Sequence, residues 1–197
     1  MHDSESFFVV GIGASAGGLD ALTRFFKQLP PVSNAAFVVV QHLLPQHPSL
    51  LSKILSDKTQ MEVIPIRGPL KIERNKVYVL TEGLMLTVEN GVLQVRRRTN
   101  SEIINRAVDI FFHSLAADVK EKAIGIILSG MGSDGLQGSK AIEEAGGKIM
   151  VQDPDSTKFK SMPSEVIKRD SPNLVLPPEE LAHSILWFIE QQFVTKT

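Results

Sequence analysis

Three short apolar runs that do not alternate constrain this chain most. FFVVGIG (7–13), AAFVVVQH (35–42) and AIGIILSG (123–130) are apolar almost throughout, and each is too short for a buried helix. A strand with one wet face alternates between apolar and polar residues; a strand covered on both faces does not need to. Between these runs the spacing turns helical. GGLDALTRFFKQL (17–29) places Leu19, Leu22, Phe25, Phe26 and Leu29 on one stripe. AVDIFFHSLAADV (107–119), the stretch from Gly135 to Ala145, and PPEELAHSILWFIEQQF (177–193) have the same character. Covered strands that alternate with helices imply a parallel sheet with helices on both faces.

The remaining segments extend this plan. Pro48 suits the first turn of a helix through LLSKILSD, and MEVIPI, KVYVL and KIMVQD are strands. Gly146 and Gly147 stop the helix before the last of these. LMLTVENGVLQVRR (84–97) is different, because two alternating runs flank Asn90-Gly91, a strong hairpin signal. Leu181, Ile185, Phe188 and Ile189 dock the last helix on the core. The expected fold is α/β: a doubly wound, mostly parallel sheet flanked by helices, with an antiparallel β-hairpin at one edge. The segment from Met61 to Asn105 is expected at that edge.

Composition narrows the function. The 197 residues carry a net charge near −1, so no global field steers the molecule to nucleic acid or anionic lipid. The absence of cysteine removes thiol catalysis, disulfides and thiolate zinc sites, and it suits a reducing compartment. MHDSES (1–6) lacks the pattern of a secretory signal, and no apolar run reaches the ~20 residues of a membrane span. We expect a cytoplasmic protein.

The chemistry concentrates in GIGASAGGLDAL (11–22). Gly11, Gly13 and Gly17 follow a strand and open a helix, as in a dinucleotide site. That reading wants an acidic residue at the end of the second strand, and Gln41-His42 stands there instead. Gly13-Ala14-Ser15-Ala16-Gly17 also fits a nucleophile turn, with Ser15 exposed between strand and helix. The plainer alternative is that Ser15 caps the helix. Two other strand ends bear on the choice. His42 closes the second strand, and Asp134 lies just beyond AIGIILSG. Ligands of parallel sheets bind at the carboxyl ends of strands, so topology brings a hydroxyl, an imidazole and a carboxylate to one edge. Their order, Ser-His-Asp, is not that of chymotrypsin, subtilisin or α/β-hydrolases, but such triads are defined by roles.

Other candidates rank below these. His47 is the rival base, His2 lies in a polar terminus, and His113 and His183 fall within helices. Asp20 faces solvent, Asp153 and Asp155 follow a strand end and line the cleft, and Arg96, Arg97 and Arg98 form a solvated strand end.

With these residues in place, GIGASAGGLDAL, VVVQHLLPQH, IGIILSGMGSDGLQGSKAIEEAGG and QDPDSTKFKSMPSEVI together resemble the catalytic domain of the CheB family, the chemotaxis receptor protein-glutamate methylesterases and glutamine deamidases. The wording GASAGG and GSDG is closest to the methylesterase domains of methylesterase–methyltransferase hybrid sensor proteins. The resemblance implies a Ser15, His42 and Asp134 triad, with oxyanion or substrate contacts at Ala16, Gly17 and Met131. It implies hydrolysis of glutamate γ-methyl esters with release of methanol, and deamidation of glutamine, in chemotaxis-type signal transduction. The expected partners are a methylated chemoreceptor or sensor protein and fused or separate methyltransferase or regulatory domains. No cofactor and no metal are expected. One catalytic domain over residues 1–197, without a receiver domain, is the expected organisation. Two differences stand out: Ala16 replaces a frequent threonine, and NSEIINRA (100–107) lacks a basic, proline-containing stretch. A catalytically silent interaction module that keeps the same cleft is the alternative from another class.

Overall fold

The computed structural model describes residues 7–42, 49–99, 102 and 105–194, with residues 193 and 194 described by their backbone alone. The first unit is β1 (Phe8–Ala14), α1 (Gly18–Phe26) and β2 (Ala35–Gln41). Then come α2 (Leu51–Ser56), β3 (Glu62–Ile66), β4 (Leu70–Lys71), β5 (Lys76–Leu80), β6 (Leu84–Glu89) and β7 (Val92–Arg97). The second half contains α3 (Ala107–Val119), β8 (Ala123–Ile127), α4 (Leu136–Glu144), β9 (Lys148–Gln152), α5 (Ser161–Arg169), β10 (Leu174–Leu176) and α6 (Pro178–Val194).

Seven strands form one parallel sheet in the order β10-β9-β8-β1-β2-β5-β3. Every residue of β1 and β8 is buried, as expected of strands covered on both faces. Alternate side chains of β1 enter two separate cores. Phe8, Val10, Ile12 and Ala14 pack with Leu22, Phe25 and Phe26 of α1 and with Leu181, Ile185 and Ile189 of α6. Val9, on the opposite face, joins Val108, Phe111 and Leu115 of α3 and Val166 of α5. Phe188 meets Phe8 edge to face at 5.5 Å. Leu19 departs from the expected stripe and is 42% exposed, because the buried face of α1 runs through Ala21, Leu22, Phe25 and Phe26.

The hairpin forms where Asn90-Gly91 places it, with both residues at positive φ. It does not extend the main sheet. β7 pairs with β6 on one side and β4 on the other in a second, three-stranded antiparallel sheet. The reason lies in α3, which buries residues on more than one side: Leu86, Val88 and Leu93 of the small sheet share a core with Phe111, Phe112 and Leu115. Asp118 of α3 also accepts the N–H groups of Asn90 and Gly91. The main sheet takes its edge from β3 instead, where Pro65 can forgo a ladder hydrogen bond on the open side. Among the described residues no helix is long and apolar enough to cross a membrane.

Candidate active site

The chain leaves β1 for α1 on one side and comes back to β8 on the other, so the sheet changes direction between β1 and β8. That point, at the carboxyl edge, is where a doubly wound sheet opens a crevice. Ser15 sits on it, held by its own backbone. Its N–H donates to the Ser129 carbonyl at 2.9 Å, and its carbonyl accepts from the Gly18 N–H at 2.9 Å. On the β2 side the His42 N–H donates to the Ala14 carbonyl at 3.0 Å. A Cβ added to Gly130 would lie 3.0 Å from the Ser15 Cβ, so the β8 strand end forms the other wall.

Four glycines surround the serine for different reasons. A Cβ on Gly11 would lie 2.9 Å from Phe112 and 3.0 Å from Leu115, and one on Gly13 would collide with Val108. These two glycines, both inside β1, let α3 lie close on the sheet. Gly17 takes φ +73°, a left-handed turn into α1 that glycine adopts without strain. Gly18 packs against Ala14. Among the described residues no acceptor engages the N–H groups of Ala16, Gly17 or Met131.

Nε2 of His42 lies 2.6 Å from Oδ2 of Asp134. The same Oδ2 accepts the Val108 N–H at 3.0 Å, and Oδ1 accepts the Asp109 N–H at 2.9 Å. Both carboxylate oxygens already act as acceptors, so Nε2 is the donor in the pair. The positive end of α3 lies behind the carboxylate. Asp134 therefore caps α3, not the helix that comes after it in sequence. That helix, α4, is capped by Asp109, whose Oδ1 accepts from Gly135 at 3.0 Å and Gly138 at 2.9 Å. Burial, reinforced by the charge of Asp134, raises the Asp109 carboxyl above the usual range.

Two cavities flank the turn. One of about 500 Å³ is lined by His42, Met131, Asp134, Arg106 and Gln137. Another of about 440 Å³ is lined by Gly17, Asp155, Thr157 and Phe159. Asp155 thus faces this second cavity, where Lys160 at 2.7 Å holds its carboxyl below the ordinary value; Asp153 caps the turn before it. Asp20, His113 and His183 are exposed. Arg96 is ion-paired with Glu102, whose carboxyl is pulled down to about 2 by that guanidinium. His2, His47 and Pro48 lie outside the described residues. Among the described residues no group of three or more histidine, aspartate or glutamate side chains is placed to hold a metal ion.

The family model for CheB methylesterase matches residues 10–185. The chain belongs to the CheB methylesterase family. It is 31% identical over 189 residues to protein-glutamate methylesterase/protein-glutamine glutaminase 2 of Methanosarcina acetivorans, covering 92% of this chain and 53% of that protein. It is 32% identical over 184 residues to the protein of the same name from Burkholderia pseudomallei, covering 93% of this chain and 54% of the relative. The chain spans about half the length of the curated relatives it matches. The crystal structure of the Thermotoga maritima CheB methylesterase catalytic domain superposes with a TM-score of 0.85 at 28% identity, over 93% of this chain and 100% of that one.

Within this CheB fold, sequence reasoning passed over a support layer beneath Ser15. Ser129 donates its Oγ to the Ala16 carbonyl at 2.8 Å, and its N–H goes to Oε1 of Gln152 at 2.8 Å. Gln152 is 1% exposed and reaches Ser156 with its Nε2. The signal for it was a polar side chain closing an apolar strand, at the same edge as Ser15 and His42. Asp109 was passed over for another reason: an acid in the first turn of a helix needs no further explanation.

Proposed function

We propose that this chain hydrolyses glutamate γ-methyl esters of a receptor or signalling protein through Ser15, His42 and Asp134. The observation that carries the reading is the His42–Asp134 pair at 2.6 Å, set on the strand beside the Ser15 turn. With Nε2 committed to Asp134, Nδ1 is the nitrogen left to act as base. Ser15 Oγ makes no hydrogen bond among the described residues, which leaves it free to meet a substrate carbonyl. Serine–base hydrogen bonds of ligand-free sites tighten when substrate arrives.

The steps balance as an acyl transfer. Ser15 Oγ adds to the ester carbonyl while His42 takes its proton. Asp134 orients the imidazole and offsets the imidazolium charge. The unengaged N–H groups of Ala16, Gly17 and Met131 receive the oxyanion. Collapse expels the methoxy group, which leaves as methanol with the proton from His42. Water, deprotonated by His42, then releases the glutamate γ-carboxylate and restores Ser15. A glutamine carboxamide takes the same route with ammonia as leaving group, so deamidation is the second activity. The substrate is a methylated chemoreceptor or sensor protein in chemotaxis-type signalling, with fused or separate methyltransferase or regulatory domains as partners. The chain acts in the cytoplasm, in keeping with its cysteine-free composition.

A serine-directed phosphonate tests the assignment. Mass spectrometry should find the adduct on the Ser15 peptide. Ser15→Ala should abolish labelling, and His42→Ala should slow it, while His47→Ala leaves it unchanged. An unlabelled Ser15 in the folded protein would favour a silent binding module.

A further inference from the structure

Asp109 is 7% exposed, on the first turn of α3, and no step of the hydrolysis uses its carboxylate. Its side chain accepts the N–H of Gly135, the amide directly after Asp134, at 3.0 Å. Its own N–H donates to Oδ1 of Asp134 at 2.9 Å. One residue therefore grips Asp134 at both ends: the side chain of Asp109 holds the main chain of Asp134, and the main chain of Asp109 holds the side chain. A second bond from Gly138 at 2.9 Å ties the first turn of α4 to the same oxygen. A Cβ on Gly138 would come within 3.2 Å of the Asp109 backbone, so the two helices approach as closely as glycine permits. The loop carrying Asp134 is otherwise held by the Val108 N–H on Oδ2 at 3.0 Å and by the Leu136 N–H on the Ser133 carbonyl at 3.3 Å. Met131, Gly132 and Ser133 are exposed, and Gly132 and Gly135 both take positive φ.

We infer that Asp109 is a positioning residue of the hydrolytic site, fixing the Asp134 carboxylate where Oδ2 meets His42 Nε2. The inference rests on the triad reading of Ser15, His42 and Asp134. It requires the acceptor oxygen of Asp109 in its place and not its charge, since a single oxygen, Oδ1, takes both α4 bonds.

The requirement separates three variants. Asp109→Asn keeps a carbonyl oxygen at the same reach, Asp109→Glu keeps the charge but moves the oxygen, and Asp109→Ala removes both. Methanol release from a methylated receptor fragment gives kcat and KM for each, well below its melting temperature. We expect Asp109→Asn to stay close to wild type. Asp109→Glu and Asp109→Ala should lose kcat with KM held, on the order of 10²-fold for a displacement of about 1 Å. The downfield proton of the His42 Nε2–H bond, read by NMR, should persist in Asp109→Asn and shift or vanish in the other two. A merely structural residue would lower the melting temperature and leave both readouts intact in the folded protein. Wild-type kcat and an unshifted proton in Asp109→Glu would overturn the inference, as would an Asp109→Asn protein as impaired as Asp109→Glu. If Asp109→Ala does not fold, the Asn and Glu pair still decides. The NMR arm needs no turnover. A wild type that releases no methanol while the proton responds as expected would defeat the hydrolase reading and spare the positioning.

Discussion

Asp109 and Asp134 cap each other's helices. Asp134, which precedes α4, accepts the amides of Val108 and Asp109 at the start of α3, and Asp109, on α3, accepts the amides of Gly135 and Gly138 at the start of α4. The exchange joins two helix N-termini through two buried carboxylates, one of which also meets His42. It makes the behaviour of Asp134 variants different from that of a simple cap.

Asp134→Asn should lose both activity and stability. Asparagine offers one acceptor oxygen where the native residue uses two, so a backbone N–H of α3 is left facing an amide NH₂ group. Loss of a cap bond costs about 1–2 kcal/mol. In the serine-protease template the corresponding change lowers kcat on the order of 10⁴-fold, and a loss similar to that or smaller is expected for an ester. Urea unfolding and methanol release measure the two effects. Sequence alone predicts an unchanged stability, because there Asp134 can cap only its own helix.

Asp109→Asn should show a pH-dependent gain in stability. The folded carboxyl of Asp109 is raised by burial and by the nearby Asp134 charge. Its contribution is fully present below the unfolded value and is lost as pH rises through the folded one. The wild type therefore gives up stability across that window and the amide does not. Melting temperatures should diverge in favour of Asp109→Asn as pH rises from acid to neutral, and converge at low pH. A gap that widens toward acid would contradict the sign.

Gly13→Ala tests the role of the glycines. The new Cβ meets Val108, so α3 must shift, with an overpacking cost of about 1–3 kcal/mol. Urea unfolding reads that cost. Because α3 carries the amides that hold Asp134, kcat should fall as well.

Gln152→Leu tests the layer beneath Ser15. It leaves the Ser129 N–H without its acceptor in a buried site, at a cost of about 1–3 kcal/mol. Ser129 carries the carbonyl that holds Ser15 and the hydroxyl that holds Ala16. Loss of kcat with KM unchanged is the expected outcome in steady-state kinetics; a fall in stability alone would make Gln152 a structural residue.

Local pattern made the sheet legible, together with the approach of Ser15, His42 and Asp134 to one edge. Short, fully apolar runs fit doubly covered strands, and the carboxyl-edge rule then places the residues at the end of each run. The hairpin was legible through Asn90-Gly91, but its sheet was not, because the two residues of β4 carry no strand pattern of their own. Leu19 satisfied the helical spacing and still faces solvent, since spacing does not say how wide the buried stripe is. The crossed caps were out of reach for a related reason: Asp109 meets Gly135 across 26 residues, and only the packing of α3 on α4 decides which helix each carboxylate serves. Gln152 reads as an ordinary polar strand end until Ser129 is seen beside it.

Methanol release from a receptor fragment methylated on its glutamates, compared between wild type and Ser15→Ala, tests the central claim most directly. The account predicts steady release by the wild type and none above background for Ser15→Ala, with both proteins folded to the same extent by circular dichroism. Equal release by the two, or none by a folded wild type across methylated receptor fragments, would contradict it.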